Sequence, residues 1–425
     1  MLALPRFTEV GRRRPLDLVV PGSSLDEVAA PYAAVAGPGS LELASGADRL
    51  VARYDDGAVW LEVTTGTRTT EHRSRRLARP DGAVHEVALA LTGTHVTALT
   101  RADDTWTARA RVDLRQRIDT RDEAWLAGLA SDAPRAGRFG QLGLRDIRAV
   151  SNADGSPYRL GDRFVLSATS AGPGFFDTAH TSVWALDPGT LELAHLSDLF
   201  FRRPDAPGAY GDHATHVLRD GERWLVATST WGDFDRRRPG ASVGVTLAET
   251  AADLLDGSHL LDTRPLDLPT EGLRSVGVWD PHLVRDGDQW LVGFVTAPAF
   301  FTFHPALATG PSLDALSLRA SATGRTATEG TTLLRVGDEW QVLASDGREG
   351  PRRLRERYPV FDLDLREAGT LAAPYPTNIP WPTLLPVDDS WLLVAFDGTR
   401  HGGRIAGYGT HGDVVFMRPE SGTTV

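Results

Sequence analysis

The sequence contains no cysteine, and all 45 of its basic residues are arginine, so lysine is missing too. Without cysteine there is no disulfide, no thiol nucleophile and no cysteine-based zinc site. Without lysine there is no Schiff base, no pyridoxal anchor and no phosphate-binding lysine of the P-loop or kinase type. Positive charge is in deficit as well. The 45 basic residues face 56 acidic ones, a net charge of −11. That balance argues against a nucleic-acid partner, because phosphate binding needs clustered positive charge. No stretch approaches ~18 unbroken apolar residues, so no membrane-spanning helix and no membrane partner are expected. The first twenty residues carry Arg12-Arg13-Arg14 in place of the apolar centre of a signal peptide. The expected location is cytoplasmic, or secreted where a leader has been removed.

Long helical periodicity is also scarce. Only residues 120–129 and 246–255 suggest short helices. Turn formers are plentiful instead, with 43 glycines and 27 prolines, and tryptophan is high at 11. Short apolar runs between Gly, Asp and Pro turns predict an all-β chain. Residues 38–113 read as a meander of strands with a turn at Asp55-Asp56-Gly57, in the manner of a small sandwich. This region resembles part of a laminin-G or concanavalin-like jelly roll. The expectation is a β-sandwich domain over residues 1–130.

Beyond residue 145 one phrase recurs: a Gly-acid turn, a variable residue, an aromatic, then an apolar strand. It occurs at Gly161-Asp162-Arg163-Phe164, Gly221-Glu222-Arg223-Trp224, Gly287-Asp288-Gln289-Trp290 and Gly337-Asp338-Glu339-Trp340. A fifth copy, Asp388-Asp389-Ser390-Trp391, has lost its glycine. A unit of roughly 50 residues with paired strands is the mark of a propeller blade. Five copies predict a five-bladed β-propeller over residues 140–425.

The inner strand of each blade lines a common channel, so residues just ahead of it meet at one mouth. Counting back from the turn glycines gives Asp154 in the first blade and Asp280 in the third, each seven residues ahead. Glu329 stands eight ahead in the fourth blade, and the second offers Asp212 and His213. Carboxyls converging on a desolvated mouth raise one another's pKa, which can keep one of them protonated near neutrality. A protonated acid beside a carboxylate is the requirement for breaking a glycosidic bond.

These residues carry a resemblance. The phrase from Asp154 to Asp162 resembles the first-blade Asp-Pro-Ser phrase of glycoside hydrolase family 43. "WDPHLVRDGDQW" resembles the third-blade Arg-Asp-Pro phrase of families 32, 68 and 43, and "TEGTTLL" resembles the fourth-blade glutamate. The resemblance implies a five-bladed furanosidase superfamily enzyme. Asp154 would be the base or nucleophile, Glu329 the general acid, and Asp280 the group that orients the sugar and tunes the acid. Two departures stand out: Gly155 replaces the usual proline, and Trp279 replaces the usual arginine. The implied substrate is an oligo- or polysaccharide furanoside, with arabinofuranoside ahead of fructoside.

Substrate contacts are expected from Asp212, His213, Trp279, His282, Arg348 and Trp381. Trp231, Trp279 and Trp381 are candidate stacking platforms, and residues 170–180 form a candidate wall. No cofactor is required by this chemistry. The family resemblance does imply a structural calcium ion in the channel, with His411 as its candidate ligand. Residues 348–357 hold five arginines, which read as a solvated loop or as an anion clamp. A clamp would suit a glycoside phosphorylase on the same fold. A non-catalytic carbohydrate-binding propeller is the remaining alternative.

Overall fold

The computed structural model describes residues 5–102, 105–399 and 412–420. Among the described residues, seven sheets account for the fold. Two of them, with six and five strands, stack as a sandwich that starts with Asp17–Val19 and ends with Arg135–Gln141. The other five sheets are blades I–V, arranged around a channel. Their inner strands are Leu144–Ala149, His213–Asp220, Val278–Asp286, Thr328–Val336 and Thr383–Val387.

The recurring phrase makes the hairpin between the first two strands of blades II to V, and in blade I it joins the short strand Arg159–Leu160 to Arg163–Ser170. Positions 160 and 163, 286 and 289, or 336 and 339 pair across a two-residue turn. The turn requires positive φ, and Gly161, Gly221, Gly287 and Gly337 supply it at 59–62°. In blade V, Asp388 takes the same conformation at 50°, which aspartate tolerates better than most side chains. The aromatic that follows wedges between neighbouring blades. Trp224 joins Val165 and Val183 of blade I to Val226 of blade II. Trp290 and Trp340 do the same one and two blades further on.

The ring closes with the start of the chain. Phe7–Arg13 forms the outer strand of blade V, antiparallel to Asp413–Pro419. Its Arg12 donates to Asp397 at 2.7 Å. The expected division at residues 130–140 is thus corrected at two points. The first strand belongs to the propeller, and the sandwich runs on to Gln141. Tyr32–Gly37 is buried on both faces for the same reason. Ala33 and Val35 point into the sandwich core, whereas Tyr32, Ala34 and Ala36 pack toward Phe200 and Ala209 of blade I.

One expected helix survives as a single turn, Glu123–Leu126, capped by the Asp122 carboxylate on the Ala124 N–H at 2.7 Å. The other does not form. Val245–Thr250 is a strand paired with residues 224–229, because the blade's backbone ladder outweighs a weak local helical preference.

Candidate active site

Four inner strands carry an irregularity at one shared place. The register slips between Arg145 and Arg148, His213 and His216, Trp279 and His282, and Glu329 and Thr332. At each slip one residue is left-handed: Asp146 at 48°, Ala214 at 58°, Asp280 at 55° and Gly330 at 75°. A bulge re-aims the side chains beside it and is a common device next to active sites. Here it divides each strand. Arg145, His213, Trp279 and Glu329, just before the slip, line a cavity at the channel mouth, as do Asp146 and Asp280 at the slip itself. Residues just after the slip fill the channel below.

The cavity holds about 300 Å³. Its polar floor is three carboxyls: Asp146, Asp280 and Glu329. Burial, with the charge of Asp146 second, pushes the Glu329 carboxyl up to about 7. The Trp279 and Trp381 indole N–H groups work in the opposite direction. Both indole nitrogens are buried and face the Glu329 carboxyl, without meeting strict hydrogen-bond geometry among the described residues. Asp280 is raised well above the usual carboxylate range by burial and then by Glu329. One of its oxygens accepts from the Gly330 N–H, while Oδ2 is buried with no hydrogen-bond partner among the described residues.

Arg148 seals the floor. Its guanidinium is fully buried and donates to the Thr331 carbonyl at 2.9 Å, to Thr332 Oγ1 at 2.8 Å and to the Asp280 carbonyl at 3.1 Å. It also lies 4.5 Å over the Trp381 ring. Desolvation lowers its pKa to about 10, against the attraction of Asp280, Asp146 and Glu329. At working pH it therefore remains a cation beneath three acids.

The walls are aromatic. Phe176 stacks on Trp231 with centroids 4.5 Å apart, and Trp231 meets Trp279 edge-on at 5.5 Å. The loop of residues 170–180 supplies Phe175 and Phe176, as expected. His213 contacts the Phe176 carbonyl through Nε2 at 3.0 Å, and burial keeps its pKa below the ordinary range.

Asp280, Glu329, His213, Trp279 and Trp381 thus come together in one cavity. Four other residues expected in the site do not join them. Asp154 is exposed, and its Oδ1 accepts from the Ser156 N–H at 2.9 Å and Oγ at 2.6 Å. Its turn lies at the far end of the channel, where the Ala153 carbonyl accepts from the Arg285 N–H. Five residues of strand, about 15 Å, separate Arg285 from Asp280. The first-blade carboxyl of the cavity is Asp146.

Asp212 is fully buried, outside the cavity lining. Arg203 Nε donates to it at 2.8 Å, and the Gly232 N–H donates at 3.0 Å. It anchors the segment that carries Trp231. His282 lies below the cavity, stacked 4.0 Å from His216. His216 accepts from the Leu283 N–H at 3.1 Å, and His282 accepts from the Leu333 N–H at 3.4 Å, so each imidazole ties its blade to the next. Arg348 is exposed and ion-paired with Glu356 at 2.8 Å, and its neighbour Glu349 reaches the cavity instead. Of the arginine run, Arg348 pairs with Glu356, and Arg357 pairs with Asp346 and Glu367.

His411 lies outside the described residues. Among those described, no cluster of three or more His, Asp or Glu has metal-binding geometry. The channel presents a guanidinium and two stacked imidazoles where calcium would need a shell of oxygens. Without His411, the described channel residues do not supply that shell.

No family model matches the sequence, and no curated protein matches it. Solved structures do. The chain is 14% identical to an inulosucrase from Halalkalicoccus jeotgali bound to kestose, over 66% of this chain and 85% of that one, with a TM-score of 0.50. It is similar to a family 117 glycoside hydrolase, Zg3597, from Zobellia galactanivorans (11% identity, 65% and 84% covered, TM-score 0.47). It is also similar to a GH43_1 enzyme from Xanthomonas citri complexed with xylose (13%, 65% and 87%, TM-score 0.44). The chain therefore shares the five-bladed β-propeller fold of glycoside hydrolases.

Proposed function

We propose that the protein is a glycoside hydrolase that removes a terminal furanosyl unit. The observation that carries this reading is Glu329, a buried acid held at about 7 within one cavity shared with Asp146 and Asp280. Glu329 donates its proton to the leaving oxygen as the glycosidic bond breaks. Asp146 attacks the anomeric carbon or activates the water that does. Asp280 accepts hydrogen bonds from the sugar hydroxyls through Oδ2, and Trp279 and Trp381 donate their indole N–H groups. The sealed floor supports an exo mode of action, since a chain that enters the mouth has no second exit. Arabinofuranoside stands first on the sequence phrases. The inulosucrase neighbour, bound to kestose, keeps fructoside second.

The test is turnover of nitrophenyl furanosides and of matching natural disaccharides. Glu329→Gln should cut turnover of the natural substrates ~10²–10⁴-fold, the usual worth of a positioned general acid, and should affect the aryl substrates much less. Asp146→Asn should abolish both. Asp154→Asn should leave both within about twofold, because its carboxylate only closes an exposed turn. Equal losses on both substrates in Glu329→Gln would remove Glu329 as the acid. Turnover that strictly needs phosphate would make the enzyme a phosphorylase.

A further inference from the structure

The cavity opens onto a second, larger hollow of about 710 Å³ between the sandwich and the propeller. Phe175, Phe234 and Phe301 line both spaces and form the boundary between them. Phe175 and Phe301 are 42% and 49% exposed, unusual for large apolar side chains beside a polar cleft. The outer wall is built from two units. The sandwich strands His95–Ala102 and Thr105–Asp113 bring His95, Arg111 and Asp113, with Arg115 just beyond them, and the propeller loops bring Asp177, Asp235, Arg236 and Arg237.

The charges of this hollow do not cancel. Arg115 lies 2.7 Å from Asp113, 3.5 Å from Asp177 and 3.8 Å from Asp235. Arg237 pairs with Asp235 at 2.9 Å. Arg111 reaches Asp177 only at 3.8 Å, and its Nε is buried without a hydrogen-bond partner among the described residues. Arg236 forms no ion pair among the described residues, and its guanidinium lies 5.8 Å from the Phe301 ring. Burial and the surrounding arginines hold His95 neutral, at about 3. Four arginines against three aspartates leave a positive excess on a chain whose net charge is −11.

We infer that this hollow binds the leaving-group side of the substrate, and that the sugar there carries a carboxylate. The inference rests on the hydrolase reading for its direction. A terminal ring in the cavity sends the rest of its chain through the mouth, and among the described residues the mouth gives onto the arginines. Phe175 and Phe301 supply the apolar faces that sugar rings stack on, and Arg111 and Arg236 offer charge-assisted donors to a uronate.

The test separates binding from turnover. Trigalacturonate and its methyl ester differ in charge and by one methyl group on each carboxyl, and serve as calorimetric probes on the full chain. The acid should bind more tightly than the ester, and added salt should narrow the gap. Arg236→Gln, on an exposed side chain, should weaken trigalacturonate binding about 10- to 100-fold and leave the ester unchanged at an unaltered melting temperature. Phe301→Ala should weaken both probes. Equal binding of acid and ester, no binding of either, or an Arg236→Gln variant that loses neither would overturn the inference. Charge-dependent binding together with inertness toward every furanoside would keep the hollow as a uronate site and overturn the hydrolase reading alone.

Discussion

A glutamic acid that keeps its proton near neutrality serves catalysis at a cost to folding. Glu329 is lifted from an ordinary 4.5 to about 7. Between those values the folded chain binds a proton that the unfolded chain has released. Stability must therefore fall as pH rises through that window, and below it the penalty is absent. The loss at pH 8 is of the order of 3 kcal/mol. Glu329→Gln, which never ionises, should be more stable than the parent at pH 8 by that order and should lose the advantage below about pH 4.5. Urea unfolding at the two pH values measures it, and a gap that widens on acidification would mean Glu329 is ionised in the fold. Activity follows the same proton, so turnover of substrates that need the acid should decline as pH rises through about 7.

Elements decide which acids meet. In blades II, III and IV the left-handed position stands seven residues before the turn glycine: Ala214, Asp280 and Gly330. In blade V that count lands on Trp381, which also lines the cavity. The rule reads Asp280 and Glu329 directly from the sequence, because their strands run straight into the hairpin. In blade I it lands on Asp154, and it fails for a physical reason. After Ala149 the chain leaves the blade, lends Ser151–Asn152 to the sheet of blade II in parallel, and returns as Arg159–Leu160. That excursion puts Asp146 fifteen residues ahead of Gly161. The spacing hides this, since Asp146, the single acid of "GLRDIRAV", stands outside the seven-residue count. His282 reads in the sequence as a substrate contact. Its partner is the next blade's backbone rather than a sugar, which only the stacked geometry reveals.

The hairpins offer their own check. A Cβ at Gly287 would meet nothing within 4 Å, so Gly287→Ala tests backbone conformation alone. It should cost about 1 kcal/mol or more, and Gly287→Asp should cost less, as Asp388 does in blade V.

At the scale of the molecule, the chain begins in the propeller, leaves to build the sandwich, and returns. Two short connections, between Arg13 and Asp17 and between Gln141 and Leu144, join the sandwich to the propeller. Their interface is apolar around Tyr32, Phe139 and Phe200, with a fully buried carboxylate, Asp198, ion-paired across it. Arg138, on the sandwich's last strand, donates to Asp198 of blade I at 2.6 Å and to the Gly257 carbonyl at 2.9 Å. Asp198 also bonds His180 at 3.1 Å and His195 at 2.9 Å, and these partners hold its pKa far below the usual carboxylate range despite full burial. Removing one partner of a buried pair leaves a charge without its counterion and typically costs ~3–5 kcal/mol. Here two imidazoles remain on Asp198, so Arg138→Ala should fall at the lower end, about 3 kcal/mol. The parent should unfold in one calorimetric transition that includes both units. The variant should melt earlier, still in one transition, because the apolar interface around Tyr32, Phe139 and Phe200 still couples the units when the ion pair is gone. A parent that melts in two steps, or a variant that loses less than about 1 kcal/mol, would show that the sandwich is carried by the propeller rather than built into it. The hollow between them would then lose its rigid outer wall, and Arg111 would have no fixed place from which to meet a uronate.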